Sequence, residues 1–219
     1  MPLPLTFVTS AKRHLDLPDS PCEIAFVGRS NVGKSSLINA LANRKQLAQV
    51  SNTPGRTQLI NLFVLPTGAT VVDLPGYGYA QESKSKIEAW TALVNAYLKG
   101  RPTLQRACLL VDSRHGLKPV DVAAMKLLDS AAVVYQIILT KADKLNPTAL
   151  ERVRSETTAA LAKHPAYFPE LYIATVKAGE QSGNLPEVLQ RYIGYLKLMM
   201  GLRQKVTKAL SYPLFLVMI

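Results

Sequence analysis

The chain has 219 residues, which fits one α/β domain with a short extension, and apolar side chains make up 48% of it, enough for a buried core. No secretory signal and no apolar run long enough to span a bilayer is visible. The two cysteines match no metal-site or C-x-x-C spacing and stand in apolar, strand-like runs, so we expect small core residues of a reduced cytoplasmic protein. The net charge of +11 favours a polyanionic partner, either nucleic acid or an anionic membrane surface; a basic enzyme without such a partner is the alternative.

Apolar strands alternate with amphipathic helices along most of the chain. Strands are predicted at 22–28, 59–65, 70–74, 107–112, 133–139 and 171–175, and helices at 34–42, 87–99, 119–130, 147–162 and 185–200. This alternation indicates a three-layer α/β fold with a mostly parallel sheet and helices on both faces. A short turn separates the strands at 59–65 and 70–74, so a hairpin with one antiparallel edge strand is the economical pairing. Two polar stretches, 43–58 and 77–84, lack apolar periodicity and are predicted to be mobile loops.

The ends of the chain differ from its middle, and we expect three parts. Residues 1–20 are predicted to form an extended N-terminal arm with room for one helical turn, residues 21–200 the folded domain, and residues 201–219 an extension that is first basic and then apolar. Between residues 191 and 208 there are five basic side chains and no acidic one, which favours the polyanionic partner. The apolar residues 213–219 could dock on the domain, fray or contact a partner.

The strand at 22–28 leads into a glycine loop of the form G-x-x-x-x-G-K-S, the phosphate-binding P-loop. The residues predicted to bind phosphate are Gly28, Arg29, Ser30, Asn31, Val32, Gly33, Lys34, Ser35 and Ser36. Glycines let the loop wrap tightly, so that backbone N–H groups point at phosphate oxygens, and the following helix adds the positive end of its dipole. Lys34 should reach the β- and γ-phosphates, and the Ser35 hydroxyl should bind Mg²⁺. A glycine turn with a chance lysine is the alternative, which the flanking strand and helix disfavour.

Two further stretches narrow the nucleotide. Asp73 and Gly76 form D-x-x-G at the end of a strand, where the carboxylate can hold Mg²⁺ through water and the Gly76 N–H can contact the γ-phosphate. The run T-K-A-D from Thr140 to Asp143 follows a later strand and resembles the base-recognition motif N-K-x-D. Asp143 can accept two hydrogen bonds from guanine, whereas adenine would leave the buried carboxylate unpaired. The Lys141 stem can lie along base and ribose, and the threonine is expected to weaken loop-tethering contacts rather than base choice.

The series GRSNVGKSS, NTPGRTQ, DLPGYGYA and TKAD resembles the EngB family of bacterial GTPases, also called YihA or YsxC, over most of the chain. NTPGRTQ followed by DLPGYGYA is the specific part, because small GTPases of other families do not carry it. The resemblance implies a Ras-like P-loop domain with a six-stranded, mostly parallel sheet, binding of GTP, GDP and Mg²⁺, and slow GTP hydrolysis. It also implies a switch role in assembly of the large ribosomal subunit, and so in bacterial growth, division and septation. Ribosomal RNA, with ribosomal proteins, would be the polyanionic partner of a cytoplasmic monomer without stable membrane association.

The resemblance also assigns residues by position. Thr57 would be the switch threonine that reaches Mg²⁺ when GTP is bound, with Gly55 and Arg56 beside it at the phosphates. The expected catalytic residues are Lys34, Thr57 and Gly76. The fifth guanine motif falls at Ala174, Thr175 and Val176. The family usually has a Ser-Ser pair there, so contacts from backbone N–H groups are what we expect of this segment.

Hydrolysis is expected to be slow, because Tyr77 stands where many GTPases place a glutamine that orients the attacking water. A phenol facing the phosphate cannot easily do that, so a partner or an ion would accelerate the reaction. Asn31 matches the P-loop asparagine that helps related GTPases to bind K⁺, and a cation there would offset transition-state charge. The alternative is that Asn31 only shapes the loop. The two mobile loops should become ordered when γ-phosphate and Mg²⁺ are bound.

Three other functions compete with this one. A P-loop ATPase or small-molecule kinase is disfavoured by Asp143 after Lys141 and by the lack of an obvious lid domain. A membrane-anchored signalling GTPase is disfavoured because the chain carries neither a prenylatable C-terminal cysteine nor a myristoylation signal. An RNA-binding module with a vestigial nucleotide site ranks last, because Lys34, Ser35 and Asp73 are all present.

Overall fold

The computed structural model describes residues 2–48, 59–78, 84–168 and 171–173. The strands are β1 (Thr6–Ala11), β2 (Glu23–Gly28), β3 (Ile60–Val64), β4 (Thr70–Asp73), β5 (Leu104–Asp112), β6 (Tyr135–Thr140) and β7 (Tyr172–Ile173). The α-helices in these ranges are α1 (Lys34–Ala42), α2 (Lys84–Gly100), α3 (Pro119–Ser130) and α4 (Pro147–Leu161). Their order confirms the predicted alternation over this part of the chain, and the helix predicted at 185–200 lies outside the described residues.

The strands form one sheet in the order β1-β3-β4-β2-β5-β6-β7. Strand β2 runs parallel to β4 and β5, and β6 runs parallel to β5 and β7, whereas β3 is antiparallel to β1 and β4. The predicted α/β fold with a mostly parallel sheet is confirmed. Because parallel strands share a direction, the carboxyl ends of β2, β4, β5 and β6 meet at one end of the sheet. The motifs that follow these strands therefore come together there.

The position of the antiparallel strand differs from the sequence prediction of six strands with an antiparallel edge. Strand β1 pairs with β3, from Thr6 opposite Val64 to Ala11 opposite Ile60, so β3 is internal in a sheet that has seven strands in the described part of the chain. The predicted N-terminal arm is thus partly a strand, and its helical turn is the 3-10 turn His14–Asp16. Most of β1 is exposed, so it lacks the apolar run that marks the other strands. Its pairing satisfies backbone groups of β3 that would otherwise be open at the edge.

Alternate residues of the strands pack on opposite faces of the sheet. In β2, Ile24 and Phe26 pack in one buried cluster with side chains of α1. Ala25 and Val27 pack in the other cluster, with buried residues of α2, α3 and α4. This period of two places α1 on one face and the other three helices on the opposite face.

A buried ion pair, which the sequence does not reveal, holds the start of β2 to the end of α2. Glu23 is fully buried, and its carboxylate accepts hydrogen bonds from Arg101 Nε at 3.0 and 3.2 Å, from Arg101 Nη2, and from the Tyr97 hydroxyl at 2.9 Å. Arg101 Nη2 also donates to the Pro18 carbonyl oxygen at 2.8 Å. Tyr97 itself is fully buried in the core. Because β2 ends at Gly28, this ion pair fixes the strand that carries the glycine loop.

Both cysteines, Cys22 and Cys108, are free and buried, as the sequence predicts. Burial raises the pKa of Cys22 to about 11 and the pKa of Cys108 to about 12, so both thiols stay protonated at neutral pH. Within the described ranges, no helix combines the length and the hydropathy needed to cross a bilayer.

Candidate nucleotide-binding site

The candidate phosphate loop joins the end of β2 to the start of α1. Gly33 precedes the helix with a φ of 109°, and Asn31 also has a positive φ, 61°. The backbone at Gly28 is crowded, because a Cβ atom there would lie 2.9 Å from Val32 Cγ1 and 3.0 Å from the Leu110 carbonyl oxygen. No side chain in the described ranges caps α1, so its first backbone N–H groups are open to an anion. The loop thus has the backbone shape that a phosphate site requires.

The Lys34 and Asp73 side chains approach each other at this loop. Lys34 Nζ lies 3.9 Å from Asp73 Oδ1, and the side chains are only 10% and 8% exposed. Burial raises the pKa of the Asp73 carboxyl above its usual range, while the Lys34 charge and a hydrogen bond from Asn61 act in the opposite direction. Asp73 Oδ1 is buried and has no hydrogen-bond partner in the described part of the chain. A buried carboxylate oxygen without a donor suits a cation such as Mg²⁺.

The D-x-x-G segment lies directly against the phosphate loop. The Ser30 N–H donates to the Tyr77 carbonyl oxygen at 2.9 Å, and the Tyr77 N–H donates to the Gly28 carbonyl oxygen at 3.4 Å. A Cβ atom at Gly76 would lie 3.0 Å from the Ser30 nitrogen, which leaves little room for a side chain. The fold therefore brings Gly76 next to the phosphate loop, where the D-x-x-G motif is expected to lie.

The Tyr77 side chain is buried in the protein, so the prediction of a phenol facing the phosphate is wrong. Its hydroxyl donates to Asp121 Oδ1 in α3 at 2.9 Å, its ring lies 5.0 Å from the Trp90 ring, and the residue is 5% exposed. Trp90 is half-buried against the core, and its Nε1 donates to the Pro75 carbonyl oxygen at 2.8 Å. Burial of the apolar ring of Tyr77 is favourable. The polar hydroxyl can be buried with it because Asp121 accepts its hydrogen bond.

The T-K-A-D run follows β6 and contacts the phosphate loop. Thr140 Oγ1 lies 2.7 Å from the Val32 carbonyl oxygen and 3.2 Å from that of Val111, both within hydrogen-bonding distance. Lys141 has a φ of 56°, and its Nζ donates to the Asn31 carbonyl oxygen at 2.7 Å. The sequence predicts that a threonine at this position weakens the contact with the phosphate loop. In the structure, Thr140 nevertheless contacts that loop through the Val32 carbonyl oxygen.

Two carboxylates belong to this region: Asp112, at the end of β5, and Asp143, the last residue of the run. Asp112 accepts hydrogen bonds from Lys141 Nζ at 2.9 Å and from Arg114 Nη2 at 2.8 Å. Desolvation acts to raise the pKa of Asp112, but these hydrogen bonds hold it below its usual range. The Asp143 side chain is 7% exposed, and its Oδ2 lies 3.4 Å from Lys144 Nζ. Asp143 is thus a mostly buried carboxylate at the position where the motif places the acceptor for the base.

The structure brings three predicted motifs together: the phosphate loop, the D-x-x-G segment and the T-K-A-D run. The residues of the other two, Gly55, Arg56, Thr57, Ala174, Thr175 and Val176, lie outside the described residues, and their roles stay predictions. Ser35 and Ser36 stand in the first turn of α1. In the ranges described, no group of three or more His, Cys, Asp and Glu side chains could hold a metal ion. A Mg²⁺ site here would combine Asp73 and the Ser35 hydroxyl with oxygens of the nucleotide.

Known proteins are similar to this chain in sequence. A family model described as 50S ribosome-binding GTPase matches residues 23–141. The probable GTP-binding protein EngB of Chelativorans sp. (strain BNC1) is 53% identical over 173 residues, which cover 74% of this chain and 76% of that protein. The probable GTP-binding protein EngB of Roseobacter denitrificans (strain ATCC 33942 / OCh 114) is 53% identical over 174 residues, which cover 79% of this chain and 81% of that protein.

Solved structures share the fold. The crystal structure of a probable GTP-binding protein EngB superposes with a TM-score of 0.58 at 22% identity and covers 80% of this chain and 98% of that chain. Era in complex with MgGDPNP and nucleotides 1506–1542 of 16S ribosomal RNA superposes with a TM-score of 0.57 at 21% identity, covering 80% of this chain and 56% of that chain. At this level of identity the likeness supports the fold alone.

A second family model matches the C-terminal part of the chain. It is described as Type II secretion system (T2SS), protein F, and it matches residues 148–219. This range begins inside α4 and includes the predicted fifth guanine motif, the basic residues between 191 and 208 and the apolar residues 213–219. The two EngB relatives cover 74% and 79% of this chain, so part of it lies outside each alignment. The sequence after residue 148 can therefore be explained as the end of the GTPase domain or as a segment related to secretion-system protein F.

Proposed function

The chain belongs to the EngB family of GTPases, and from that premise we propose that its nucleotide state controls a step in assembly of the large ribosomal subunit. The observation that carries the proposal is the match of residues 23–141 to a family of 50S ribosome-binding GTPases. Charge supports it, because residues 1–147 alone carry 17 basic and 10 acidic side chains. The positive excess therefore does not depend on the segment that matches the secretion-system model. In this role the protein acts as a cytoplasmic monomer and supports growth, division and septation.

The proposed phosphate site is the loop together with the first turn of α1, residues 28–36. Lys34 reaches the β- and γ-phosphates, and the Ser35 hydroxyl and Asp73, the latter through water, hold Mg²⁺. The buried Asp73 oxygen without a partner in the described ranges supports this assignment. The bound ion would supply charge that stabilises the phosphate oxygens. Thr57 joins this site in the GTP state, with Gly55 and Arg56 beside it.

The proposed base site is built on Asp143. Its carboxylate accepts the two guanine donors, while Lys141, held at the loop by its contact with the Asn31 carbonyl oxygen, flanks the base. Thr140 holds the run in place through the Val32 carbonyl oxygen. A buried carboxylate left unpaired by adenine accounts for the choice of GTP.

We propose that intrinsic hydrolysis is slow, with Lys34, Thr57 and Gly76 as the catalytic residues. Support comes from Tyr77, because its hydroxyl is bound to Asp121 and cannot orient a water at the γ-phosphate. A K⁺ ion at Asn31 would offset the charge that develops in the transition state. The ribosomal partner is the other candidate for acceleration.

The ribosomal role is tested by sedimentation of the full chain with large ribosomal subunits, in a non-hydrolysable GTP analogue or in GDP. We expect binding with the analogue and much weaker binding with GDP. Asp143→Ala should remove the response to guanine nucleotides. Glu151→Gln, which neutralises a side chain on α4 that is 69% exposed, is the matched carboxylate control and should behave as wild type. Equal binding in both nucleotides would contradict nucleotide control, and no binding in either would contradict a ribosomal partner.

The match of residues 148–219 favours a second candidate role for that segment, as a relative of a secretion-system protein instead of the end of the GTPase domain. The domain boundary that we place at residue 200 would then move toward residue 148. A chain that ends after Ile173, compared with the full chain, separates the two by its affinity for GDP. If the segment after Ile173 supplies the fifth guanine motif, the shorter chain loses affinity. If it belongs to the secretion-system family, the affinity is unchanged.

A further inference from the structure

We propose that Asp121 is a positioning residue that joins the phosphate loop to the D-x-x-G segment and so sets where Gly76 meets the γ-phosphate. Asp121 stands in the first turn of α3 and is fully buried. Its Oδ1 accepts hydrogen bonds from Arg29 Nε at 3.1 Å and from the Tyr77 hydroxyl at 2.9 Å. Its Oδ2 accepts a hydrogen bond from the Lys118 N–H at 2.9 Å. One carboxylate therefore ties together the loop, the segment after β4 and the start of α3.

The D-x-x-G segment is anchored on both sides of Gly76. Before it, the Leu74 N–H donates to the Phe26 carbonyl oxygen at 3.0 Å. After it, Tyr77 exchanges backbone hydrogen bonds with the phosphate loop and donates its hydroxyl to Asp121. Gly78 follows with a φ of 71°, and a Cβ atom there would lie 3.3 Å from Val120 in α3. The place of the Gly76 N–H therefore depends on where Tyr77 is held.

Charge makes Asp121 the centre of this arrangement. The Arg29 side chain is 11% exposed and the Asp121 side chain is fully buried, so each ion depends on the other for compensation. The Tyr77 hydroxyl adds a hydrogen bond to a charged acceptor, a stronger class than a bond between neutral groups. Loss of that bond frees the Tyr77 side chain, and the Gly76 N–H, one residue away, loses its fixed direction. GDP has no γ-phosphate and does not depend on that direction.

The inference rests on the proposed position of the γ-phosphate beside Gly76, and the test is the ratio of affinities for a non-hydrolysable GTP analogue and for GDP. In the full chain, Tyr77→Phe should weaken binding of the analogue about tenfold, or about 1.4 kcal/mol, as expected for a lost hydrogen bond to a charged group. Its affinity for GDP should change less than about twofold. Asp121→Asn should change the ratio in the same direction, and thermal unfolding of both variants checks that they fold.

Tyr97→Phe is the matched control. It removes the hydroxyl of another buried tyrosine, which donates to the buried Glu23 carboxylate over the same 2.9 Å. A purely structural role predicts that Tyr77→Phe and Tyr97→Phe lower stability alike and leave the ratio unchanged, and that result overturns the proposal. Gly76→Ala tests the role of Asp121 and the position of the γ-phosphate separately. If it changes the ratio while Tyr77→Phe does not, the role of Asp121 is refuted; if neither changes it, the position of the γ-phosphate is refuted as well.

Discussion

Replacing Arg101 by methionine would leave the Glu23 carboxylate without its charged partner inside the protein. Glu23 is fully buried, and Arg101 provides hydrogen bonds at 3.0 and 3.2 Å from Nε alone. Breaking a buried ion pair on one side costs about 3–5 kcal/mol, because the remaining charge stays buried. The Tyr97 hydroxyl still donates to Glu23, so we expect the lower end, about 3 kcal/mol. At about 2–4 °C per kcal/mol for a chain of this size, the Tm should fall by about 6–12 °C.

Urea and thermal unfolding of the full chain measure this loss. The double variant Glu23→Gln, Arg101→Met removes both charges and should recover most of the stability. Arg152→Met, at a side chain that is 73% exposed on α4, is the control and should change the free energy of unfolding by less than about 0.5 kcal/mol. A loss below about 1 kcal/mol for Arg101→Met, or no recovery in the double variant, would refute the reasoning.

Three further predictions concern titration, ions and thiols. Burial raises the pKa of Asp73, so the folded state binds that proton more tightly than the unfolded state and the ionised carboxylate costs stability at neutral pH. Without nucleotide, Asp73→Asn should therefore raise the free energy of unfolding at neutral pH, by an amount that shrinks as pH falls through the raised pKa; equal stability of the two proteins at neutral pH would contradict this. Glycine can keep the positive φ of 61° at position 31, so Asn31→Gly tests the side chain alone. We expect this variant to lose the faster GTP hydrolysis in K⁺ than in Na⁺. Equal rates of wild type in the two buffers would contradict a K⁺ site. Because burial raises the pKa of Cys22 to about 11 and that of Cys108 to about 12, iodoacetamide should modify neither thiol until urea unfolds the protein, and alkylation of the native chain would argue against this burial.

The phosphate loop and the strands around it are predictable from sequence because their signals are local. Glycines at Gly28 and Gly33 stand where a Cβ atom would collide or where φ is positive, so the spacing of the motif specifies the backbone. The helix Pro119–Ser130 begins and ends as predicted, with proline in its first turn. These elements need no knowledge of distant contacts.

Contacts between distant residues are what the sequence does not reveal. Tyr77 and Asp121 are 44 positions apart, and an acidic residue near the start of α3 reads only as an ordinary helix-start residue. Glu23 and Arg101, 78 positions apart, are likewise hidden, because a charged residue in a strand or at the end of a helix has no visible partner in sequence. Strand β1 is missed because its exposed residues lack the apolar pattern of a buried strand.

Residues 148–219 carry short sequence features that are compatible with two different protein families. Two short features there are each compatible with a GTPase: the basic stretch between 191 and 208 and the predicted motif at Ala174, Thr175 and Val176. The same residues lie inside the match to secretion-system protein F. Short motifs of common residue types carry too little information to choose between these origins, so the assignments there stay predictions.

The most direct test of the central claim, a guanine-specific site that depends on Asp143, is displacement of fluorescent GDP by GTP or ATP. We expect GTP to displace the probe from wild type and ATP to leave it bound, because adenine leaves the buried carboxylate unpaired. Asp143→Ala should bind the probe at least about a hundredfold more weakly, since two hydrogen bonds to a charged group are lost. Glu151→Gln serves as the exposed control. Displacement by ATP as readily as by GTP, or full binding by Asp143→Ala, would contradict the account.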